Sequence, residues 1–226
     1  GKFSLAPWVT ETYISHHAAN KTDYLNIRDK LNMIRGYLLG ASRDKQRKML
    51  KKAYVYAVAT IRCRTKYADE TYGRWLAGDS LETAFSETSN IDGKARIKER
   101  TLDHFEKRAK PVLDAINDEN YTEAAEIMNQ NDDWLWLGKA KGHFVVALLT
   151  GKTICVDSNV QEGLLGEDMK GNIEWSHDEY ENIQDALTRT LDDYELSFLP
   201  QWVTYDVHSS SDKAVEHHEK FYNSLE

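Results

Sequence analysis

Apolar residues recur every three or four positions along much of the chain, which is the spacing of one face of an α-helix. Gly40 ends the first such segment, residues 21–39, whose inward positions are Leu25, Ile27, Leu31, Ile34 and Leu38. Residues 42–67 are predicted to form a longer helix. Its middle, 49–61, is apolar nearly all round and therefore belongs in the core.

The rest of the chain continues the helical pattern in shorter pieces. Ser80 is a typical helix-capping residue, and Pro111 predicts a bend in its helix. The chain has three prolines and twelve glycines and shows no strong alternation of apolar and polar residues, so it is predicted to be all-α. The further predicted helices are residues 69–77, 80–85, 91–116, 121–128, 159–165, 179–199 and 212–225.

The most distinctive local pattern lies between residues 137 and 160. Gly138 marks a tight turn, six apolar residues follow at 144–149 and predict a core helix, and a short apolar run then leads to Asp157. An acid at the mouth of an apolar element can have a tuned pKa and a catalytic role. Alternatively, Asp157 caps the helix that begins near Val160.

This order of elements resembles the helix-hairpin-helix (HhH-GPD) DNA glycosylase superfamily, which has the endonuclease III-like base-excision fold. The family's V-D-T-H stands here as 156–159, residues 52–60 resemble its first buried core helix, and 90–98 resemble its K-A-x-x-I helix start. The family's hairpin L-P-G-V-G stands here as Trp134-Leu135-Trp136-Leu137-Gly138.

The resemblance covers roughly residues 45–166. It implies an all-α, two-lobed helical fold of the HhH-GPD type. We expect residues 1–226 to form a single glycosylase-like domain, with an acidic helical C-terminal part at 167–226.

The chain also departs from the family pattern. Trp136 replaces the first hairpin glycine, and Ala140 stands where bifunctional members carry a nucleophilic lysine. The aspartate is retained, as in monofunctional members, which use it with an activated water. Cys63 and Cys155 are too few for the family's four-cysteine iron–sulfur cluster, so no cofactor is expected.

The resemblance implies that Asp157 is the catalytic residue. Breaking an N-glycosidic bond builds positive charge on the sugar, which a fixed carboxylate stabilises while it orients the attacking water. The flipped base needs aromatic walls, and Trp134, Trp136 and Trp202 are the candidates. The alternative is that these tryptophans pack in the core or at an interface.

The same resemblance implies a set of DNA contacts. Lys139 and Lys141 lie where the hairpin meets a helix N-terminus, and with the amides around Gly138 they can contact a phosphate. Arg62 and Arg64 lie in the loop after the first core helix, and Arg62 is the candidate to fill the gap left by the base. The alternative is that both lysines are solvated; covalent catalysis by a lysine is disfavoured by Ala140.

Charge is unevenly distributed. The formal net charge is −8, but residues 151–226 hold 5 Lys/Arg and 17 Asp/Glu, so the first 150 residues carry +4. A positive face could therefore still meet phosphates. A first basic run comprises Arg43, Lys45, Arg47, Lys48, Lys51 and Lys52. A second, mixed cluster, which could equally be a solvated helix face, comprises Lys94, Arg96, Lys98, Arg100, Lys107, Arg108 and Lys110.

Three hypotheses follow. The first is a monofunctional glycosylase acting on double-stranded DNA, and the second is a non-catalytic DNA- or protein-binding module with the same fold. The third is a helical structural protein that merely shares the pattern. The acidic C-terminal part could be a surface for a protein partner. No signal peptide or membrane-spanning segment is recognised, which predicts a cytoplasmic or nucleoid-associated protein that is not secreted. Adjacent histidine pairs such as 16–17 and 217–218 do not have metal-ligand spacing, so no metal site is expected.

Overall fold

A computed structural model describes residues 21–60, 65–88, 101–129, 139–153 and 218–226, with the isolated positions 15, 18, 19, 155 and 182. Every regular element in these ranges is an α-helix, which confirms the all-α class; the two-lobed arrangement stays a prediction. The helices are α1 (Lys21–Gly40), α2 (Arg43–Ala59), α3 (Thr65–Leu76), α4 (Leu81–Ser86), α5 (Thr101–Asn117), α6 (Tyr121–Met128), α7 (Lys139–Thr150) and α8 (Glu219–Asn223).

The apolar C-terminal part of α2 and the apolar body of α7 form the centre of the molecule. Residues 53–59 of α2 and 142–150 of α7 are buried on every side. They pack on each other, α1 lies against both, and α3, α5 and α8 contact α2 while α6 contacts α7. All eight helices contribute buried side chains to one hydrophobic core. A helix that is apolar all round must be enclosed, and the two apolar runs of the sequence predict these two helices.

The predicted helix over residues 42–67 is wrong at its C-terminal end. Ser42 does cap the helix, because its Oγ accepts a hydrogen bond from the Lys45 amide at 3.4 Å. However, α2 ends at Ala59, and the next described helix begins at Thr65. The Thr60 hydroxyl donates to the Ala57 carbonyl at 2.7 Å. Such local side-chain bonds compete with helix continuation, whereas the sequence has no glycine or proline between residues 42 and 67 that would mark an end.

Other predicted elements are confirmed where they are described. The α1 and α6 helices match their predicted ranges within a residue, and the Ser80 Oγ caps α4 by accepting from the Thr83 amide at 3.1 Å. Pro111 lies inside α5, which is described from Thr101 onward. The predicted helices at 159–165 and 179–199 lie outside the described residues, as does most of the predicted helix at 212–225.

The C-terminal end of α7 is fixed by an arginine and a glycine. The Arg35 Nη1 donates to the Thr150 carbonyl at 2.8 Å, where the helix dipole favours a positive charge. Gly151 follows with φ 66°, a left-handed conformation that glycine adopts without strain. The helix therefore stops at a defined residue, and the chain turns back along it.

None of the described helices is long and apolar enough to cross a membrane.

Gly142 lies where α7 packs closely against α6. A Cβ at this position would lie 2.8 Å from the Ala125 carbonyl oxygen and 2.9 Å from the Asn129 Oδ1. We therefore expect Gly142→Ala to lower the free energy of unfolding by about 1–3 kcal/mol through overpacking. Urea denaturation followed by circular dichroism measures this change.

Gly36 supplies a matched control on the exposed side of α1. A Cβ there would meet nothing within 4 Å, so Gly36→Ala should raise the free energy of unfolding by about 0.5–1 kcal/mol through helix propensity. Equal effects of the two substitutions would contradict the close packing of α7 on α6.

Candidate nucleic-acid interface

One of the predicted site side chains can be located in the structure, that of Lys141. The backbone of Lys139 opens α7, but its side chain is not described. Seven predicted site residues lie outside the described residues: Arg62, Arg64, Trp134, Trp136, Gly138, Asp157 and Trp202.

Lys141 joins the start of α7 to the end of α2. Its Nζ donates to the Thr60 Oγ1 at 3.0 Å and lies 5.0 Å from the centre of the Phe144 ring. The side chain is half-buried, and no carboxylate of the described residues forms an ion pair with it. Thr60 precedes Arg62 by two residues in the sequence. The structure thus brings Lys141 against the residue from which the predicted DNA-contacting loop departs.

The aromatic ring beneath Lys141 also contacts a histidine from the far end of the chain. The centres of the Phe144 and His218 rings lie 5.5 Å apart, and the His218 Nδ1 lies 2.7 Å from the Tyr56 hydroxyl oxygen. Sequence reasoning missed His218 and Tyr56 as neighbours of Lys141. The sequence suggests only one role to test for the adjacent histidines, that of metal ligands. No local pattern relates His218 to Tyr56, which lies 162 positions earlier.

The α8 helix holds His218 in place by packing into the core. Phe221 is fully buried, and its ring stacks on Tyr56 with centres 5.1 Å apart. The Lys52 Nζ donates to the Ser224 carbonyl at 2.5 Å, and the Tyr72 hydroxyl lies 2.6 Å from the Ser224 Oγ. Burial raises the pKa of Tyr72 to about 12, although the Ser224 hydrogen bond opposes this shift, so the phenol stays neutral at physiological pH.

The chain that leads toward Asp157 is anchored to α7. The Thr153 Oγ1 donates to the His143 carbonyl at 2.9 Å, and Cys155 is buried. Cys155 precedes Asp157 by two residues in the sequence. Thr153, four residues before the predicted catalytic acid, is thus fixed against the helix that carries Lys141.

A buried histidine ties α6 to α7. The His143 Nε2 lies 3.4 Å from the Glu126 Oε1, and the His143 side chain is wholly enclosed. A second histidine, His104, accepts from the Arg108 Nε at 3.1 Å and stacks on the Tyr54 ring. Arg108, a member of the second basic cluster, is thus engaged with a core histidine, and these contacts are structural.

The first basic run faces acidic residues of α5. On this surface, hereafter the α2/α5 face, the carboxylates of Asp114 and Glu106 pair with four cationic side chains. Positive charge is therefore in excess among these paired groups. Hydrogen bonds from Lys110 and Arg43 hold the pKa of Asp114 below its ordinary value. The pairs are Arg43 and Lys110 with Asp114, at 2.8 and 2.9 Å, and Arg47 and Lys51 with Glu106.

The remaining members of the first run are arranged differently. Lys45 lies over the Tyr37 ring, with its Nζ 4.4 Å from the ring centre, and Lys52 binds α8 as described above. Lys48 is exposed. The run is therefore partly used to hold the fold together, and its positive charge is lower than the sequence alone indicates.

Among the described residues, no group of three or more histidine, cysteine, aspartate or glutamate side chains could hold a metal ion.

No protein-family model, no curated protein and no solved structure shows significant similarity to this chain.

Proposed function

We propose that this protein binds double-stranded DNA and excises a flipped, modified base, with Asp157 as the catalytic carboxylate. The observation that carries the proposal is Lys141, a half-buried ammonium without a carboxylate partner among the described residues, at the junction of α2 and α7. An ammonium in such a position suits a phosphate oxyanion. The resemblance to helix-hairpin-helix glycosylases implies a phosphate contact at this point of the chain.

Two further features support the same arrangement. Arg62 and Arg64, for which the resemblance implies DNA contacts, follow Thr60, the hydrogen-bond partner of Lys141, by two and four residues in the sequence. The segment that leads to Asp157 is anchored on α7 through Thr153. The residues predicted to contact the DNA backbone and the predicted catalytic Asp157 thus follow residues that both contact α7, namely Thr60 and Thr153.

The proposed chemistry is hydrolysis. The carboxylate of Asp157 stabilises positive charge on the sugar as the bond between the anomeric carbon and the base nitrogen breaks. It also orients a water molecule, whose oxygen forms the new bond to that carbon while the Asp157 carboxylate takes up the water proton. That proton then passes through solvent to the departing nucleobase, and an abasic site remains. Ala140 offers no amine for a covalent intermediate, which favours a monofunctional reaction.

The α2/α5 face favours a second candidate function, DNA binding without catalysis. Its surplus positive charge can contact phosphates in the absence of any pocket. Trp136, which replaces a hairpin glycine, is compatible with this function because it alters the family's phosphate-binding turn. In this case the protein would bind duplexes without a preference for a modified base and would form no abasic sites.

The experiment that tests the proposal is a cleavage assay on duplex oligonucleotides that each carry one modified base. Abasic sites in one duplex would support excision and identify the base. Salt-dependent binding without product would instead support the second candidate function. Absence of both product and binding would contradict both.

Lys141→Ala is expected to weaken duplex binding about tenfold. It should also lower the slope of log affinity against log salt concentration by about one, the loss of one phosphate contact. Fluorescence anisotropy at several salt concentrations measures both quantities. The matched control is Lys110→Ala, which removes the same charge from the α2/α5 face, where Asp114 already pairs with it. A larger effect at Lys110 than at Lys141 would place the DNA on the α2/α5 face and contradict the proposed site.

A further inference from the structure

We propose that an apolar groove between α1, α2 and α8 binds a straight-chain carboxylate of about eight carbons. This inference does not depend on the proposed DNA function. The groove, hereafter the α1/α8 groove, has a volume of about 250 Å³. Its apolar lining consists of Met33, Ile34, Tyr37, Met49, Tyr222 and Leu225.

The exposed apolar rim of the groove favours an apolar ligand. Met33 and Tyr37 are exposed over 67% and 47% of their surfaces, whereas Met49 and Tyr222 beneath them are buried. A ligand with an apolar body would remove its own surface and both rim side chains from water at once. The two methionines favour such a ligand further, because unbranched thioether side chains adapt to the shape of what they contact.

The volume of the groove sets the length of the ligand. One methylene group takes up about as much space as one water molecule in the liquid, about 30 Å³. A groove of about 250 Å³ therefore holds about eight carbons. Each methylene that enters it should strengthen binding about three- to fourfold, the effect of removing that group from water.

A half-buried lysine supplies the partner for a carboxylate head. Lys30 lines the groove, and its Nζ lies 4.9 Å from the centre of the Tyr222 ring. No carboxylate of the described residues forms an ion pair with Lys30, and its sequence neighbour Asp29 pairs with Arg28. An ammonium beside an apolar surface attracts a carboxylate more strongly than an ammonium in open water does.

The other charges at the groove decide the sign of the head group. Glu226 also lines the groove but is exposed, so water and salt weaken its repulsion of an anion. The ammonium of Lys45 lies over the Tyr37 ring, 4.4 Å from its centre, and adds positive charge. The less exposed of the two charged lining residues is thus the cation Lys30, which favours an anionic head over a cationic one.

The test titrates octanoate into the protein while its methionine methyl groups are followed by nuclear magnetic resonance. Met33 and Met49 line the groove and Met128 does not, so the first two resonances should shift and the third should stay. Hexanoate, which is two methylenes shorter, should bind about tenfold more weakly. Unmoved Met33 and Met49 resonances, or equal affinities for the two acids, would overturn the proposal.

Substitutions test the head group separately from the chain. Lys30→Gln should weaken octanoate binding about tenfold and leave the affinity for uncharged octanol unchanged. Glu226→Gln should not weaken octanoate binding, because it removes a repulsion. Lys107→Gln, the control, removes an exposed lysine of α5 and should change neither affinity. Octanoate binding that survives Lys30→Gln in full, or that Glu226→Gln weakens, would overturn the carboxylate as the ligand.

Discussion

Phe221→Ala is expected to lower the free energy of unfolding by about 3–5 kcal/mol, the cost of removing a fully buried aromatic side chain. The Phe221 ring is fully enclosed, stacks on Tyr56, and lies 6.1 Å from the Tyr72 ring, centre to centre. Alanine would leave a cavity among these rings, and the five residues of α8 are too few to stay helical without that packing. Urea denaturation followed by circular dichroism measures the change.

The control for Phe221 lies on the same short helix. Glu219 is exposed, so Glu219→Ala should change the free energy of unfolding by no more than about 0.5 kcal/mol. A loss below about 1 kcal/mol in Phe221→Ala would show that α8 is not part of the core.

The sequence predicts those features of the fold that depend on neighbouring residues. Ser80, the predicted cap, accepts a hydrogen bond from the amide three residues further on, so a short stretch of sequence contains the whole interaction. The apolar runs in α2 and α7 identify the two central helices because such runs must be enclosed. The end of α2 at Ala59 could not be predicted, because no glycine or proline follows it before residue 67.

Long-range partners account for most of what sequence reasoning missed. Arg43 pairs with Asp114, 71 positions later, whereas the sequence allowed only pairs within one helix to be considered. His218 reaches Tyr56 across 162 positions. Helical periodicity indicates which residues face inward, but it does not indicate which helix they meet. The acidic partners of the basic run and the neighbours of Lys141 therefore required the structure.

Asp157 is the proposed catalytic acid. Asp157→Asn is expected to reduce base excision at least about a hundredfold while duplex binding is retained, because the amide keeps the shape of the carboxylate but cannot stabilise positive charge on the sugar. Formation of abasic sites in single-turnover assays measures the loss. Asp103→Asn is the matched control, since it makes the same chemical change on an exposed face of α5 and should leave excision unchanged.

This substitution also separates catalysis from the other role that the sequence allows for Asp157, the capping of a helix that begins near Val160. Asparagine caps a helix about as well as aspartate does, so a capping residue would tolerate the change with little loss of stability or of activity. A catalytic carboxylate would not, because its negative charge is the property on which the reaction depends. Full excision activity in Asp157→Asn would therefore remove Asp157 from the chemistry, whereas lost excision with unchanged stability and binding is the result that only the catalytic role explains.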